Sequence, residues 1–100
     1  MKFLSEFHFT RHRYTMFYTY LLESLINKSW YIGYTSDLRN RFISHNKGKN
    51  IATNGKKPWK LIYCEAYVDR VDVKKRERFL KLGSGRKFLK KQILYYLAKN

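Results

Sequence analysis

The 100-residue chain reads as one small α+β domain, a sheet covered by helices, on three observations. Stretches of strand formers and helical stripes follow one another in the order β-β-α-β-α-α. A chain this short builds a single core. At 44% hydrophobic and 18% aromatic residues, it carries apolar material enough to fold without a disulfide or a structural metal.

The first strand is Phe17-Tyr18-Thr19-Tyr20-Leu21-Leu22, with Tyr18, Tyr20 and Leu22 on one face and Phe17, Thr19 and Leu21 on the other. Asn27-Lys28-Ser29 is a polar break, after which Trp30-Tyr31-Ile32-Gly33-Tyr34-Thr35 completes a hairpin. Ser36-Asp37 supplies an N-cap, and Leu38 and Phe42 mark a helix from Asp37 to about Lys47. A polar loop with Gly48, Gly55 and Pro58 leads to a third strand from about Lys60 to Tyr67. Asp69 and Asp72 form a capping arrangement for a helix from Arg70 to about Leu82, and Gly83-Ser84-Gly85 breaks it. Phe88, Leu89, Gln92, Ile93, Tyr96 and Leu97 give a last amphipathic helix. Residues 1–15 show neither period and are expected to be a loosely ordered extension, which leaves 16–100 as the domain.

Charge narrows the partner. Twenty-two Lys and Arg against seven Asp and Glu give +15, and a polyphosphate relieves that self-repulsion by releasing its counterions. A protein-interaction adaptor is disfavoured on the same ground. No stretch reaches the about 18 consecutive apolar residues a membrane span needs, and the start lacks an apolar signal region. The one cysteine, Cys64, sits in an apolar run and is expected to pack as a buried hydrophobe. These features together suggest a soluble, cytoplasmic chain with no membrane partner.

Several residues could carry chemistry. Arg41 and His45 stand four apart on one helix face and can converge on one ligand, the guanidinium gripping phosphate and the imidazole moving a proton. Glu77 falls in the apolar stripe of its own helix, four after Val73 and three before Leu80. A carboxylate placed there is costly unless paired or metal-bound. It therefore reads either as a structural salt bridge to Arg76, Arg78 or Lys81, or as the ligand of one Mg²⁺ completed by water and phosphate. Tyr20 and Tyr31 lie on adjacent strands, with Gly33 clearing space beside Tyr31. They serve either as packing or as hydroxyls near a scissile phosphate. Lys47, Lys49, Lys56, Lys57 and Lys60, with Arg39 on the preceding helix, offer a backbone-contacting nucleic-acid surface around Trp59. Trp59 itself is expected to anchor the loop, because Pro58-Trp59 opens a strand.

Taken together, these residues resemble the GIY-YIG endonuclease superfamily. Tyr18-Thr19-Tyr20 stands where the family has its first triplet, with Tyr18 in place of glycine, and Tyr31-Ile32-Gly33 matches the second. The run from Tyr31 to Phe42 sets that tyrosine ten residues before Arg41. Phe42-Ile43-Ser44-His45-Asn46, Tyr63-Cys64-Glu65 and Lys75-Arg76-Glu77-Arg78 with Gly83-Ser84-Gly85-Arg86 extend the likeness over roughly residues 16 to 95. The chain is similar to the short, free-standing bacterial branch and to the nuclease module of the excision-repair incision protein. The polar residue that some members carry in the later helical region has no counterpart around Gly83 to Phe88.

The resemblance implies a three-stranded antiparallel sheet flanked by helices, and a metal-dependent DNA endonuclease of repair, recombination or mobile-element processing. Tyr20, Tyr31, Arg41 and His45 would then be catalytic and Glu77 the ligand of one divalent cation, Mg²⁺. A tyrosine assisted by His45 would activate or position water, Arg41 would neutralise phosphoryl charge, and the products would be a 5′ phosphate and a 3′ hydroxyl. With no second domain for specificity, targeting would fall to a protein partner or a homodimer. The alternative is a non-catalytic nucleic-acid-binding module with the same fold, distinguished by salt-sensitive binding without cleavage.

Overall fold

A computed structural model describes residues 15–99, so all but Thr15 of the N-terminal extension lies outside the described residues. Three strands, β1 (Phe17–Ser24), β2 (Trp30–Thr35) and β3 (Trp59–Tyr67), form an antiparallel sheet in the order β2-β1-β3. The central strand has a neighbour on each side, and its residues from Thr19 onward are all buried. Alternation sends them to two cores. Tyr20 and Leu22 pack with Trp59, Tyr31, Leu38, Phe42 and Leu61 on one face. Leu21 and Ile32 pack with Leu80 and Leu89 on the other, bordered by Trp30, Phe79 and Phe88. One extra residue of β3 bulges between the partners of Leu21 and Leu22, which keeps Leu61 and Tyr63 on their proper faces.

Helix α1 (Leu38–Asn46) starts where Asp37 accepts the Asn40 amide at 3.2 Å. A single helical turn, α2 (Ile51–Asn54), interrupts the polar loop, capped by Asn50 on the Ala52 amide at 2.9 Å. Four residues are too few for a period to reveal, so the sequence reads this stretch as loop. Asp69 caps α3 (Arg70–Lys81) through the Val71 amide at 2.7 Å, with Asp72 in the first turn.

Gly83-Ser84-Gly85, expected as a break, is instead the first turn of α4 (Gly83–Gln92), and the chain bends at the extended Leu82 alone. The reason is Gly85. It is buried against the last turn of α3, where a β carbon would collide with the Phe79 carbonyl, so the glycine permits close helix packing. Ile93 then separates a short α5 (Leu94–Ala98). The expected order β-β-α-β-α-α therefore holds in an α+β fold, with two short helical pieces added. No described helix is long and apolar enough to cross a membrane.

Two carboxylates hold the layers together. Glu65 of β3 takes hydrogen bonds from Tyr63 Oη (2.5 Å), Tyr67 Oη (2.9 Å) and Arg76 Nε and Nη2 (2.8 and 3.0 Å), which ties the edge strand to α3. Burial raises the Tyr63 phenol and opposes ionisation of Glu65, but the bonds from Arg76 and the tyrosines hold that carboxyl below its ordinary value. Glu23, 3% exposed, accepts from the Trp30 indole at 3.3 Å and from Tyr96 Oη at 2.6 Å. Cys64, expected as a buried hydrophobe, is exposed, because it lines an open cleft with Tyr18, Leu61 and Phe42 that no described element covers. Partial desolvation and Glu65 nevertheless hold its thiol above the ordinary value, so it stays protonated and weakly nucleophilic.

Candidate active site

The site is built on the α1 face of the sheet. Tyr20 projects from β1 and is 1% exposed, and its Oη lies 2.9 Å from Nε2 of the fully buried His45 on α1. His45 Nδ1 in turn lies 2.8 Å from Thr53 Oγ1 on α2. The Thr53 hydroxyl reaches the Asn50 carbonyl at 3.4 Å, and a carbonyl can only accept. Thr53 therefore accepts from Nδ1–H, which leaves the Nε2 lone pair to accept the Tyr20 proton. Trp59 fixes this end of the relay: its indole donates to the Thr53 carbonyl at 2.9 Å, and its backbone is clasped by the Asn46 amide. It anchors the loop, as expected.

Arg41 stands on the exposed side of the same cluster. Its charge and donor groups act on the Tyr20 hydroxyl, and a guanidinium has no lone pair to offer. The phenolic oxygen thus presents a lone pair to Arg41 and its proton to His45. Burial is the largest influence on Tyr20 and pushes it up to about 12, reinforced by Tyr31 and opposed by Arg41. Burial and the Arg41 charge together hold His45 below its ordinary value. At neutral pH the pair is a phenol donating to an uncharged imidazole.

Tyr31 lies half-buried beside them, its ring centroid 5.0 Å from His45 and 6.4 Å from Tyr20. Gly33 faces Tyr20 across the strands, and a β carbon there would sit 2.6 Å from Tyr20 Oη and 3.2 Å from Tyr31 Cε2. The glycine is what lets both rings occupy this space. Glu77, from α3, has a side chain only 14% exposed, and its charge also bears on Tyr20. It pairs with Lys81 at 3.1 Å, one turn on, so the salt bridge that the sequence allows is formed. No group of three or more His, Cys, Asp or Glu stands together among the described residues.

Beside this cluster a cleft of about 280 Å³ is lined by Arg41, Arg70, Phe17 and the hydroxyl-bearing Tyr34, Thr35 and Ser36. Arg70 lies over the Phe17 ring at 5.4 Å. The surface cations Arg39, Lys47, Lys49, Lys56, Lys57 and Lys60 are all exposed. Lys60 lies over the Tyr96 ring at 5.0 Å, on the other side of β3 from Tyr20, so this cation stands apart from the relay.

Two participants escape the sequence reading. Thr53 lies in a polar loop with no period, although Asn50 three residues earlier is an Asx cap signal that points to a helical turn there. Arg70 is masked as the first residue of a helix, next to its cap.

The model of the GIY-YIG catalytic domain matches residues 16–91. A UPF0213 protein of Streptococcus pneumoniae serotype 4 is 40% identical over 65 residues, 64% of this chain and 65% of that protein. The chain thus spans a little under two thirds of that relative. A UPF0213 protein of Streptococcus pyogenes serotype M3 is 34% identical over 82 residues, 81% of this chain and 84% of its own length. A solution NMR structure of a UPF0213 protein from Bacillus halodurans is 30% identical, covers 81% of this chain and 84% of that one, and superposes with a TM-score of 0.47.

Proposed function

The chain belongs to the GIY-YIG family, and from that premise we propose that it is an endonuclease hydrolysing DNA phosphodiester bonds. The observation that carries the reading is the Thr53–His45–Tyr20 relay ending beside Arg41. In the proposed reaction, water gives a proton to Tyr20 Oη as Tyr20 passes its own to His45 Nε2, and the water oxygen attacks phosphorus. The bond from phosphorus to the 3′ oxygen breaks, and that oxygen takes a proton from solvent. The products are a 5′ phosphate and a 3′ hydroxyl. His45 returns its proton to solvent through Tyr20.

Each neighbour has a part. Thr53 holds His45 in the tautomer that can accept. Arg41, with Arg70 across the cleft, neutralises charge on the phosphoryl oxygens, and Tyr31 positions the water. Tyr20 alone, raised to about 12, is too weak an acid to supply phenolate at neutral pH. The relay supplies base strength only as the proton moves.

Glu77 fits a Mg²⁺ requirement. Mg²⁺ takes one or two carboxylates and completes its shell with water and phosphate, so one largely buried carboxylate near the tyrosine is sufficient. Its pairing with an exposed lysine, an interaction of about 0 to 1 kcal/mol, gives way readily. When bound, the ion supplies Lewis-acid stabilisation of the developing charge.

The test incubates nicked, flapped and linear DNA with Mg²⁺, comparing wild type with Glu77→Ala and Arg41→Ala, each checked for folding by thermal melting. Cleavage by wild type and its loss in both variants is the expected result. If wild type binds DNA in a salt-sensitive way and cuts none of the substrates, or if the variants cut as well as wild type, the proposal fails.

A further inference from the structure

A second cleft, of about 350 Å³, opens at the turn of the β1–β2 hairpin and is lined by Lys28, Ser29, Trp30, Arg86 and Lys90. It shares no residue with the Arg41–Arg70 cleft. Its ring, Trp30, borders the core on the α3–α4 face of the sheet, whereas Tyr20 belongs to the other core. Three cations line it and no acid does.

Three features of this cleft burden the fold on its own. Lys28 adopts the left-handed conformation, φ 65°, which costs an L-residue with a β carbon on the order of 1 kcal/mol. Ser29 Oγ is buried without a hydrogen-bond partner among the described residues, a loss of about 1–3 kcal/mol. Arg86 and Lys90 stand four apart on one helix face, where like charges repel. Meanwhile Trp30 is held in place by its bond to the buried Glu23, and Arg86 lies over its ring at 5.9 Å. An oxyanion in this cleft would relieve the like-charge repulsion, accepting from the Lys28, Arg86 and Lys90 side chains that line it. A left-handed residue that brings a third cation to Arg86 and Lys90, with no acid in the lining, marks a site shaped for an anion.

We infer that the Lys28–Ser29–Trp30–Arg86–Lys90 cleft grips a backbone phosphate of DNA, remote from the Arg41–Arg70 cleft. The substrate is then held at two places on the sheet. This deepens the proposed function in taking DNA as the ligand, but it requires only binding and no turnover.

The test measures affinity of the full chain for a labelled DNA duplex in EDTA across a series of KCl concentrations, with thermal melting alongside. Lys28→Gly relieves the backbone while removing the charge, so it should melt at or above the wild-type temperature yet bind several-fold more weakly. Its plot of log affinity against log salt should be shallower by about one. Lys90→Ala should flatten the slope by a like amount. A parallel NMR titration with inorganic phosphate follows the Trp30 indole N–H. If Lys28→Gly and Lys90→Ala bind with wild-type affinity and slope, the inference is overturned, even where phosphate alone shifts Trp30. A wild type that binds but never cuts sinks the nuclease reading and leaves this one standing. A wild type that cuts while both variants bind normally does the reverse.

Discussion

Gly33 and Tyr20 are cross-strand partners packed so closely that a β carbon at position 33 would stand 2.9 Å from Tyr20 Cζ, inside the van der Waals limit. Gly33→Ala should therefore push the Tyr20 ring off its place and stretch its bond to His45. The expected cost is about 1–3 kcal/mol in urea denaturation, as for other overpacked sites. DNA cleavage should fall by more than the lost folded fraction explains. Wild-type cleavage in the alanine variant would show that Tyr20 has room the structure denies it.

Thr53 separates positioning from packing. Thr53→Val keeps the shape and removes the acceptor for His45 Nδ1–H, so a buried donor is left unpaired at a cost of about 1–3 kcal/mol. The His45 ¹⁵N shifts should lose the pure Nδ1–H pattern, and the pH profile of cleavage should move with them. Thr53→Ser restores the hydroxyl and should restore both readouts. Equal behaviour of valine and serine would remove Thr53 from the relay.

Acid should weaken the fold in two stages. His45 is held below its ordinary 6.5, so between its folded value and 6.5 the unfolded chain carries a proton that the folded chain lacks. Its contribution is complete above about 6.5 and declines as pH falls from there. Glu65, also held low, behaves likewise from its ordinary 4.5 downward. Denaturation between pH 8 and pH 4 (a span of about four units) should show the first decline in wild type and not in His45→Gln. An identical curve for both would contradict the buried neutral imidazole.

Glu65→Gln strips charge from an acceptor serving three donors, Tyr63, Tyr67 and Arg76. Hydrogen bonds to a charged group are worth about 1.5–3 kcal/mol each, and loss of the network should destabilise by at least about 2 kcal/mol. Because the contact ties β3 to α3, Arg76→Ala and the double variant should be strongly non-additive.

The two glycines flanking Ser84 should respond oppositely to alanine. Gly85→Ala drives a methyl into the Phe79 carbonyl and should cost about 2–3 kcal/mol. At Gly83 nothing lies within 4 Å of a β carbon, so Gly83→Ala should be neutral or stabilising by about 0.5 kcal/mol. Chemical denaturation of the pair decides it.

These glycines show where the sequence speaks and where it falls silent. Alternation in Phe17–Ser24 and the caps at Asp37 and Asp69 make the sheet and the helices α1 and α3 legible, because each signal is local. Gly83-Ser84-Gly85 carries the composition of a break, yet it is helical because tertiary contact with α3 decides it. The site divides in the same way. The four-residue spacing of Arg41 and His45 foretells that both act on one neighbour, and they do so at Tyr20. The partnership of His45 with Thr53 crosses a turn with no period, so only the fold brings it into view. Glu23 and Glu65 likewise gain their roles from residues distant in the chain: Glu23 from Tyr96, Glu65 from Arg76.

The middle strand of the sheet carries Tyr20, and that placement gives the relay one slow half and one faster half. Residues Thr19 to Leu22 are buried and flanked by strands on both sides, so their amides should exchange with solvent only on the slowest openings of the domain. The five-residue α5, with no buried residue, frays far more often. His45 and Thr53 sit on α1 and the four-residue α2, outside the sheet, and local opening there can part them from Tyr20 without unfolding its strand. The lifetime of the relay is thus set by local opening of α1 and α2, and not by the central strand.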